Sequence, residues 1–202
     1  MKRQGKSARM GRPRKFSEEE ALDAAMRVFW EKGYEGSSLD DLTRAMKINR
    51  SSLYSSFGDK EDLFRRVMER YSAGPLSYLF EALNQPTARK TIESLLHESV
   101  RFLSDPTHPR GCLSLQGGLA CGSGNEKVKQ AMIEWRAHGL KHLQKRFQRS
   151  HADGDLPAEV NPKDLARLVM IVMNGLGVQA ATGAGLAEMN RAVELALRMF
   201  PV

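Results

Sequence analysis

A short polar stretch, residues 50 to 57, carries side chains of the kinds that contact DNA. In its sequence, RSSLYSSF, Leu53 and Phe57 stand four residues apart and form an apolar edge on one side of a helix. An edge this thin makes a poor core element. The other side chains are small hydroxyls, one arginine and one tyrosine, which hydrogen-bond to phosphates and base edges. The composition therefore predicts a short helix that lies in a DNA groove.

Helix start and stop signals flank this stretch on both sides. Ser38 can cap a preceding helix, and residues 47 to 49 predict a tight turn. Asn49, the last residue of that turn, can cap the polar helix. Gly58 ends the polar helix as a C′ residue, and Asp59 caps the helix that follows at once. The spacing predicts a helix-turn-helix followed by a longer helix.

The segment LxxLxxAMxINxSSLYSSFGDKEDLF resembles the DNA-binding domain of the tetracycline-repressor (TetR) family of bacterial transcriptional regulators. The resemblance covers roughly residues 16 to 65, and the fixed spacing of many positions makes it specific. This chain has Lys47 where the family usually has glycine or another small residue. It has Ser55 and Ser56 where the family often has a second aromatic residue and a histidine. The matching positions are Phe29, Gly33, Tyr34, Ser37, Ser38, Leu42, Ala45, Ile48, Leu53, Tyr54, Phe57, Lys60, Glu61 and Leu63.

The resemblance implies roles for individual side chains. Ser38, Tyr54 and Lys60 stand where the family usually binds backbone phosphates, and Arg50 is the best candidate for a bidentate contact to guanine. Alternatively, each serine is an ordinary exposed helix residue, and Tyr54 packs partly against the first helix. The predicted DNA contacts are Arg12, Arg14, Ser38, Asn49, Arg50, Ser51, Ser52, Tyr54, Ser55 and Lys60.

The chain's excess positive charge lies entirely in residues 1 to 15. The formal net charge is +7, and this segment contains seven basic residues and no acidic one. We expect an arm that binds a polyanion, although a solvated, disordered tail would have the same composition. Pro13 holds the backbone extended between Arg12 and Arg14, so that residues 11 to 14 look like an AT-hook core that enters the minor groove.

Length and composition limit the class of protein. The 202 residues allow one large or two small domains, and 41% hydrophobic residues suffice for a core. We expect no membrane span, because no run of 18 apolar residues occurs, and no secretory signal, because the N-terminus lacks an apolar region. Two cysteines make no disulfide framework, which favours the reducing cytoplasm.

The periodicity of apolar residues predicts an all-α protein of about nine helices. The predicted units are a basic disordered arm (1–15), a helix-turn-helix DNA-binding domain (16–62) and a ligand-binding and dimerisation domain (63–202). We expect no enzyme and no cofactor, because no nucleophile elbow, phosphate loop or paired carboxylates occur. We also expect no metal, because His138 and His142 have ligand spacing but no third ligand.

One helix-turn-helix module is too small for tight specific binding, so we expect a homodimer on a palindromic operator. The last two long helices have more apolar surface than one buried side needs, which predicts the dimer contact there. The predicted interface residues are Leu165, Leu168, Val169, Val172, Leu176, Met189, Val193 and Leu197.

The second half of the chain resembles the family's ligand-binding domains only loosely. The resemblance implies an apolar pocket between helices for a small-molecule effector that releases a repressor from DNA, although ordinary core packing would use the same residues. The sequence leaves repressor and activator both open. The predicted wall residues are Leu115, Met132, Trp135, Met170, Met173 and Asn174.

Cys112 and Cys121 suggest an alternative, a regulator that senses oxidants or electrophiles through its thiols. On one straight helix their separation would be about 13 Å, beyond the roughly 7 Å limit for a disulfide, so a bridge needs a bend at residues 117 and 118. The plainer interpretation is two small buried residues. A further alternative is a nonspecific architectural DNA-binding protein that uses the arm.

Overall fold

The computed structural model describes residues 17–119 and 124–202, which form ten α-helices and no strand. The all-α prediction is confirmed. The described residues contain ten helices, against about nine expected, and two of them, in residues 77–82 and 113–119, are short. The helices are α1 (Glu18–Gly36), α2 (Leu39–Met46), α3 (Arg50–Phe57), α4 (Lys60–Ala73), α5 (Ser77–Ala82), α6 (Ala88–Leu103), α7 (Leu113–Leu119), α8 (Glu126–Ala152), α9 (Pro162–Ala181) and α10 (Leu186–Met199).

Side-chain caps fix where the first four helices begin. The Ser38 hydroxyl accepts from the Asp41 amide at 3.0 Å and the Asp41 carboxylate accepts from the Ser38 amide at 3.2 Å, which is a complete capping box. Asp59 caps α4 in the same way. Ser17 and Asn49 cap α1 and α3 through single side-chain acceptors. The predicted caps at Ser38, Asn49 and Asp59 are therefore confirmed.

Two glycines end helical segments by adopting positive φ. Gly33 has φ 70° inside α1, so the regular helix stops there, and the last turn carries Tyr34 back into the core. Gly58 has φ 80° and ends α3 one residue before the cap of α4. This tight junction sets the direction of α4 relative to α3.

The buried side chains form two clusters. The first contains residues of α1 to α4 together with Leu113, Val128 and Met132 of α7 and α8. The second lies among α6, α8, α9 and α10. Because α7 and the start of α8 contribute to the first cluster, the helix-turn-helix region is packed directly against the second half of the chain.

Among the described helices, α9 is the one that is long and apolar enough to cross a bilayer, judged by length and composition alone. Its sequence contains no run of 18 apolar residues, because Arg167 and Asn174 interrupt the apolar stretches. In the fold, Leu165, Val169 and Leu176 bury one face of α9 in the second core cluster. Its opposite face includes exposed apolar residues.

Candidate DNA-binding surface and central cavity

The helix α3 exposes its polar face and buries its apolar edge, as the sequence predicts. Leu53 and Phe57 are 0% and 3% exposed and belong to the first core cluster. Tyr54 is 52% exposed, and Arg50 and Ser51 are also exposed. The two buried side chains therefore anchor a helix whose remaining surface is free to lie in a groove.

Polar groups at the start of α3 hydrogen-bond to one another. The Asn49 side-chain oxygen accepts from the Ser52 amide and from the Ser51 hydroxyl, both at 2.8 Å. The Ser55 hydroxyl donates to the Ser52 carbonyl oxygen at 3.1 Å. These contacts give Asn49 a structural role as the cap of α3. A contact from Ser51 or Ser55 to a base would exchange a local hydrogen bond for a new one.

Arg50, the predicted guanine reader, pairs with Asp40 on α2. Its Nη2 lies 2.8 Å from Asp40 Oδ1, and the two side chains are 62% and 66% exposed. A pair this exposed contributes little to stability, so DNA can displace the carboxylate. Residue spacing alone did not predict Asp40 as the partner of Arg50, because the contact joins two helices across the turn.

Asp41 stands at the same end of α2 and ties Ser38 to α1. Lys32 lies 2.9 Å from one carboxylate oxygen, and the Ser38 hydroxyl donates to the other at 2.8 Å. The Lys32 hydrogen bond, followed by those from Ser38, lowers the pKa of Asp41 to about 2. Ser38, a predicted phosphate contact, is therefore held in place by a charged network.

Lys60 begins α4 and lies above the ring of Tyr34, with 4.4 Å from its Nζ to the ring centroid. Lys60 is the first residue of α4, and the free amides of a helix N-terminus attract phosphate. Arg12 and Arg14, the predicted minor-groove contacts, lie outside the described residues.

A cavity of about 730 Å³ is lined by the six helices from α4 to α9. Five of the six predicted wall residues line it: Leu115, Trp135, Met170, Met173 and Asn174. The prediction for Met132 was wrong, because its side chain is 2% exposed and packs in the first core cluster instead. Met132 precedes Trp135 by three residues, close enough in helical phase to share its apolar face in the sequence pattern.

Several wall residues come from α4, α5 and α6, and none of these was among the predicted wall residues. The Tyr78 and Ser99 hydroxyl oxygens lie 3.2 Å apart, and Trp135 Nε1 donates to the Ser72 hydroxyl at 2.9 Å. Ser99 is 2% exposed, and this buried serine on an apolar helix face was the signal available in the sequence.

Cys112 also lines the cavity, with its Sγ 3.4 Å from the Tyr71 hydroxyl and 3.0 Å from the Ser114 hydroxyl. Within residues 17–119 and 124–202, no lysine or arginine donates to this sulfur, and the position of Cys121 lies outside these ranges. The arrangement does not favour the thiol-sensing alternative, which requires an activated thiol or a nearby second cysteine.

The predicted dimer residues lie mostly inside the protomer. Six of the eight are buried, at 0–6% exposure: Leu165, Val169, Leu176, Met189, Val193 and Leu197. Their prediction as interface residues was wrong, because their apolar periodicity belongs to the faces that pack against α6 and α8. Leu168 is 44% exposed and Val172 is partly exposed, so these two side chains remain accessible to a second protomer. The other exposed apolar residues on α9 and α10 are Ile171, Val178, Leu186, Leu195 and Met199.

Comparison with known proteins covers both halves of the chain. Residues 21–67 match the family described as bacterial regulatory proteins, tetR family. Residues 88–200 match the tetracyclin repressor-like C-terminal domain. The chain is 30% identical over 200 residues to the HTH-type transcriptional repressor ComR of Escherichia coli (strain K12), covering 95% of this chain and 92% of ComR.

Solved structures agree in fold. A cysteine mutant of the TetR family transcriptional regulator CifR, complexed with a 26-base-pair operator DNA, is 39% identical with a TM-score of 0.90. That match covers 94% of this chain and 100% of the CifR chain. A putative TetR transcriptional regulator from Rhodococcus sp. RHA1 is 39% identical with a TM-score of 0.62. That match covers 90% of this chain and 97% of the Rhodococcus chain. By sequence and by fold, this chain belongs to the tetR family of bacterial regulatory proteins.

Proposed function

We propose that the chain is a cytoplasmic, homodimeric transcriptional repressor with no enzymatic activity. In this proposal α3 of each protomer reads one half of a palindromic operator, with the basic arm adding contacts. A small molecule in the central cavity releases the repressor from DNA. The observation that carries the proposal is the placement of α4, which reaches from the DNA-binding surface to the cavity wall.

The two ends of α4 meet different partners. Lys60 is in its first turn, one residue after the cap that follows α3, whereas Ser72 and Ala73 in its last turn line the cavity. Fourteen residues of α-helix span about 21 Å. A ligand that shifts the last turn would therefore tilt α4 as a rigid body and move its first turn, which adjoins the reading helix α3.

Ion pairs connect α4 to α1, so the two helices would move together. Arg70 Nη2 donates to Asp23 Oδ2 at 2.7 Å, and Arg66 pairs with Glu18. The Arg66 Nη1 also donates to the Ser56 carbonyl oxygen at 2.8 Å, at the end of α3. This direct link from α4 to the reading helix supports transmission along α4.

Release requires that the ligand bind one arrangement of α4 more tightly than the other. The arrangement it favours would hold the two reading helices at a spacing that no longer matches successive turns of the operator. The relatives support repression: ComR is named a repressor, and the CifR structure contains operator DNA.

Selection from a random DNA pool followed by titration tests the proposal. The selected duplex and a shuffled duplex of the same composition are titrated with the purified protein at rising salt concentration. We expect the selected duplex to bind about a thousandfold more tightly. Equal affinity for both, with a steep salt dependence, would instead establish the architectural DNA-binding alternative.

A further inference from the structure

The wall of the central cavity is apolar apart from a few groups. Its ionised side chains are Glu69, Glu81 and Arg136. Both glutamates are exposed, so water solvates them at the rim. Arg136 Nη1 donates to the Ser114 carbonyl oxygen at 3.0 Å, which already occupies part of its guanidinium group. The volume of about 730 Å³ suits a drug-sized molecule.

One of the two histidines on the wall, His142, adds little charge. His138 and His142 stack edge to face, with 4.5 Å between ring centroids. Burial, and then the nearby His138, lower the pKa of His142, so its imidazole is neutral at pH 7. Arg136 is therefore the permanent positive charge on the described wall, and its guanidinium is half-buried and already donates to the Ser114 carbonyl oxygen, so an ionised ligand would lose its hydration in exchange for a counter-charge that is only partly available.

The cavity does offer hydrogen-bonding groups that lack partners. Tyr78 and Ser99 share a single hydrogen bond at 3.2 Å, so one of their two hydroxyl protons has no acceptor among the described residues. Burial raises the pKa of Tyr78, which keeps its phenol protonated and able to donate. The Asn174 amide, on the wall from α9, makes no hydrogen bond to any residue that the structure describes.

We propose that the effector is an uncharged, largely apolar molecule with a hydrogen-bond acceptor oxygen, such as a ketone, ester or ether. Its oxygen accepts from the Tyr78–Ser99 pair, with Asn174 as a second polar contact, and its apolar body fills the cavity beside Phe102 and Trp135. This inference rests on the proposed function, because it assigns a chemical class to the molecule that releases the repressor.

Three naphthalene probes of similar size test the class directly. Prodan, 6-propionyl-2-(dimethylamino)naphthalene, is uncharged and has a ketone. 6-(Dimethylamino)-2-naphthoate is its carboxylate counterpart, and 2-(dimethylamino)naphthalene lacks the oxygen. Binding to the full chain is followed by probe fluorescence. We expect Prodan to bind tightest, about tenfold or more above the carboxylate and about fivefold above the probe without oxygen.

Matched variants locate the contact. Tyr78→Phe keeps the ring and removes the donor, so it should lower Prodan affinity about fivefold and leave 2-(dimethylamino)naphthalene affinity unchanged. Asn174→Leu should lower Prodan affinity to a similar or smaller degree. Asn190→Leu makes the same substitution on α10 outside the cavity wall and should change neither affinity. Urea unfolding confirms that each variant is folded.

Tighter binding of the carboxylate, equal binding of all three probes, or a Prodan affinity unaffected by Tyr78→Phe would each overturn the inference. None of these results involves DNA. Failure of the inference is therefore distinct from failure of the proposed function, which the titration of selected against shuffled duplex decides separately.

Discussion

At the residue scale, Lys47 stands in the turn of the helix-turn-helix with a left-handed backbone. Its φ is 55° and its ψ 37°, and it is the one non-glycine residue with positive φ in the described part of the chain. A side chain in this conformation is crowded against the following carbonyl, which glycine avoids. The resemblance to a family that usually has a small residue here already marked the position from sequence.

Lys47→Gly should stabilise the protein by about 0.5–1 kcal/mol, because relief of the left-handed strain exceeds the added entropy of the unfolded chain. Urea unfolding at pH 7 measures the change. Lys47→Ala serves as the control, since it removes the amine and keeps the Cβ. A glycine variant no more stable than the alanine variant would show that the turn is not strained.

The Asp41 carboxylate makes the stability of α2 depend on pH. Its pKa falls from 3.8 to about 2 on folding, chiefly through Lys32. Its stabilising contribution is therefore complete above about pH 4 and is lost as the pH falls toward 2.

Asp41→Asn should be less stable than the wild type at pH 6, and the difference between their urea midpoints should disappear near pH 2. Asp164→Asn, which removes a first-turn carboxylate of α9, is the control. The same pH profile in both variants would contradict the assignment of this pH dependence to Asp41.

Contacts within one helix turn could be predicted from the sequence, whereas contacts between helices could not. The caps at Ser38 and Asn49 depend on residues three apart, so spacing identifies them. The Arg50–Asp40 pair depends on how α2 and α3 cross. The Tyr78–Ser99 pair depends on how α5 packs on α6, which no local pattern encodes.

At the element scale, Trp30 connects α1 to the cavity. Its Nε1 donates to the Gly111 carbonyl oxygen at 3.1 Å, and its ring stacks on His108 with centroids 4.6 Å apart. Phe102, a cavity wall residue, lies 5.7 Å from the same ring. A ligand against Phe102 therefore contacts α1 through one intervening side chain, in parallel with the route along α4.

Trp30→Phe should destabilise the protein by about 2–4 kcal/mol. The Gly111 carbonyl would lose its partner and the smaller ring would leave a void at a residue that is 2% exposed. Trp135→Phe breaks a bond to the partly exposed Ser72 hydroxyl and should cost about 1 kcal/mol. Urea unfolding of both variants compares them. An equal loss of unfolding free energy in the two variants would mean that the Gly111 hydrogen bond stabilises the protein no more than the Ser72 hydrogen bond does.

The last two helices show where periodicity fails. Because α9 is apolar on most of its surface, the pattern of apolar residues does not distinguish the face that packs inside the protomer from the face left outside. Leu165 and Val169 lie inside and Leu168 and Ile171 outside, although all four are aliphatic. The choice between the two faces depends on the positions of α6 and α8, which are long-range contacts.

At the scale of the whole molecule, α9 and α10 both expose large apolar residues. Ile171 and Leu195 are 59% and 61% exposed, and large exposed apolar groups that cluster mark protein contacts. A second copy of the same pair of helices, related by a two-fold axis, would cover them. The two-fold axis would also place two reading helices on one face of the DNA.

Ile171→Glu should convert the dimer to a monomer and reduce operator affinity by about a hundredfold or more, because a charge would be buried against the partner's apolar face. Sedimentation at micromolar concentration measures the first effect. Ile133→Glu changes an isoleucine of similar exposure, 46%, on α8 and should leave the dimer intact. A dimeric Ile171→Glu protein would place the interface elsewhere.

In the proposed binding mode, α3 chooses the DNA sequence through Arg50. Selection from a random duplex pool, run in parallel with the wild type, Arg50→Ala and Arg101→Ala, measures this role of Arg50. Arg101 also has an exposed ion pair, with Glu98 on α6, away from the proposed surface. We expect a palindrome for the wild type and Arg101→Ala, whereas Arg50→Ala should bind about ten- to a hundredfold more weakly and lose preference at one position in each half-site. An unchanged motif and affinity in Arg50→Ala would contradict the role of Arg50 in choosing the DNA sequence.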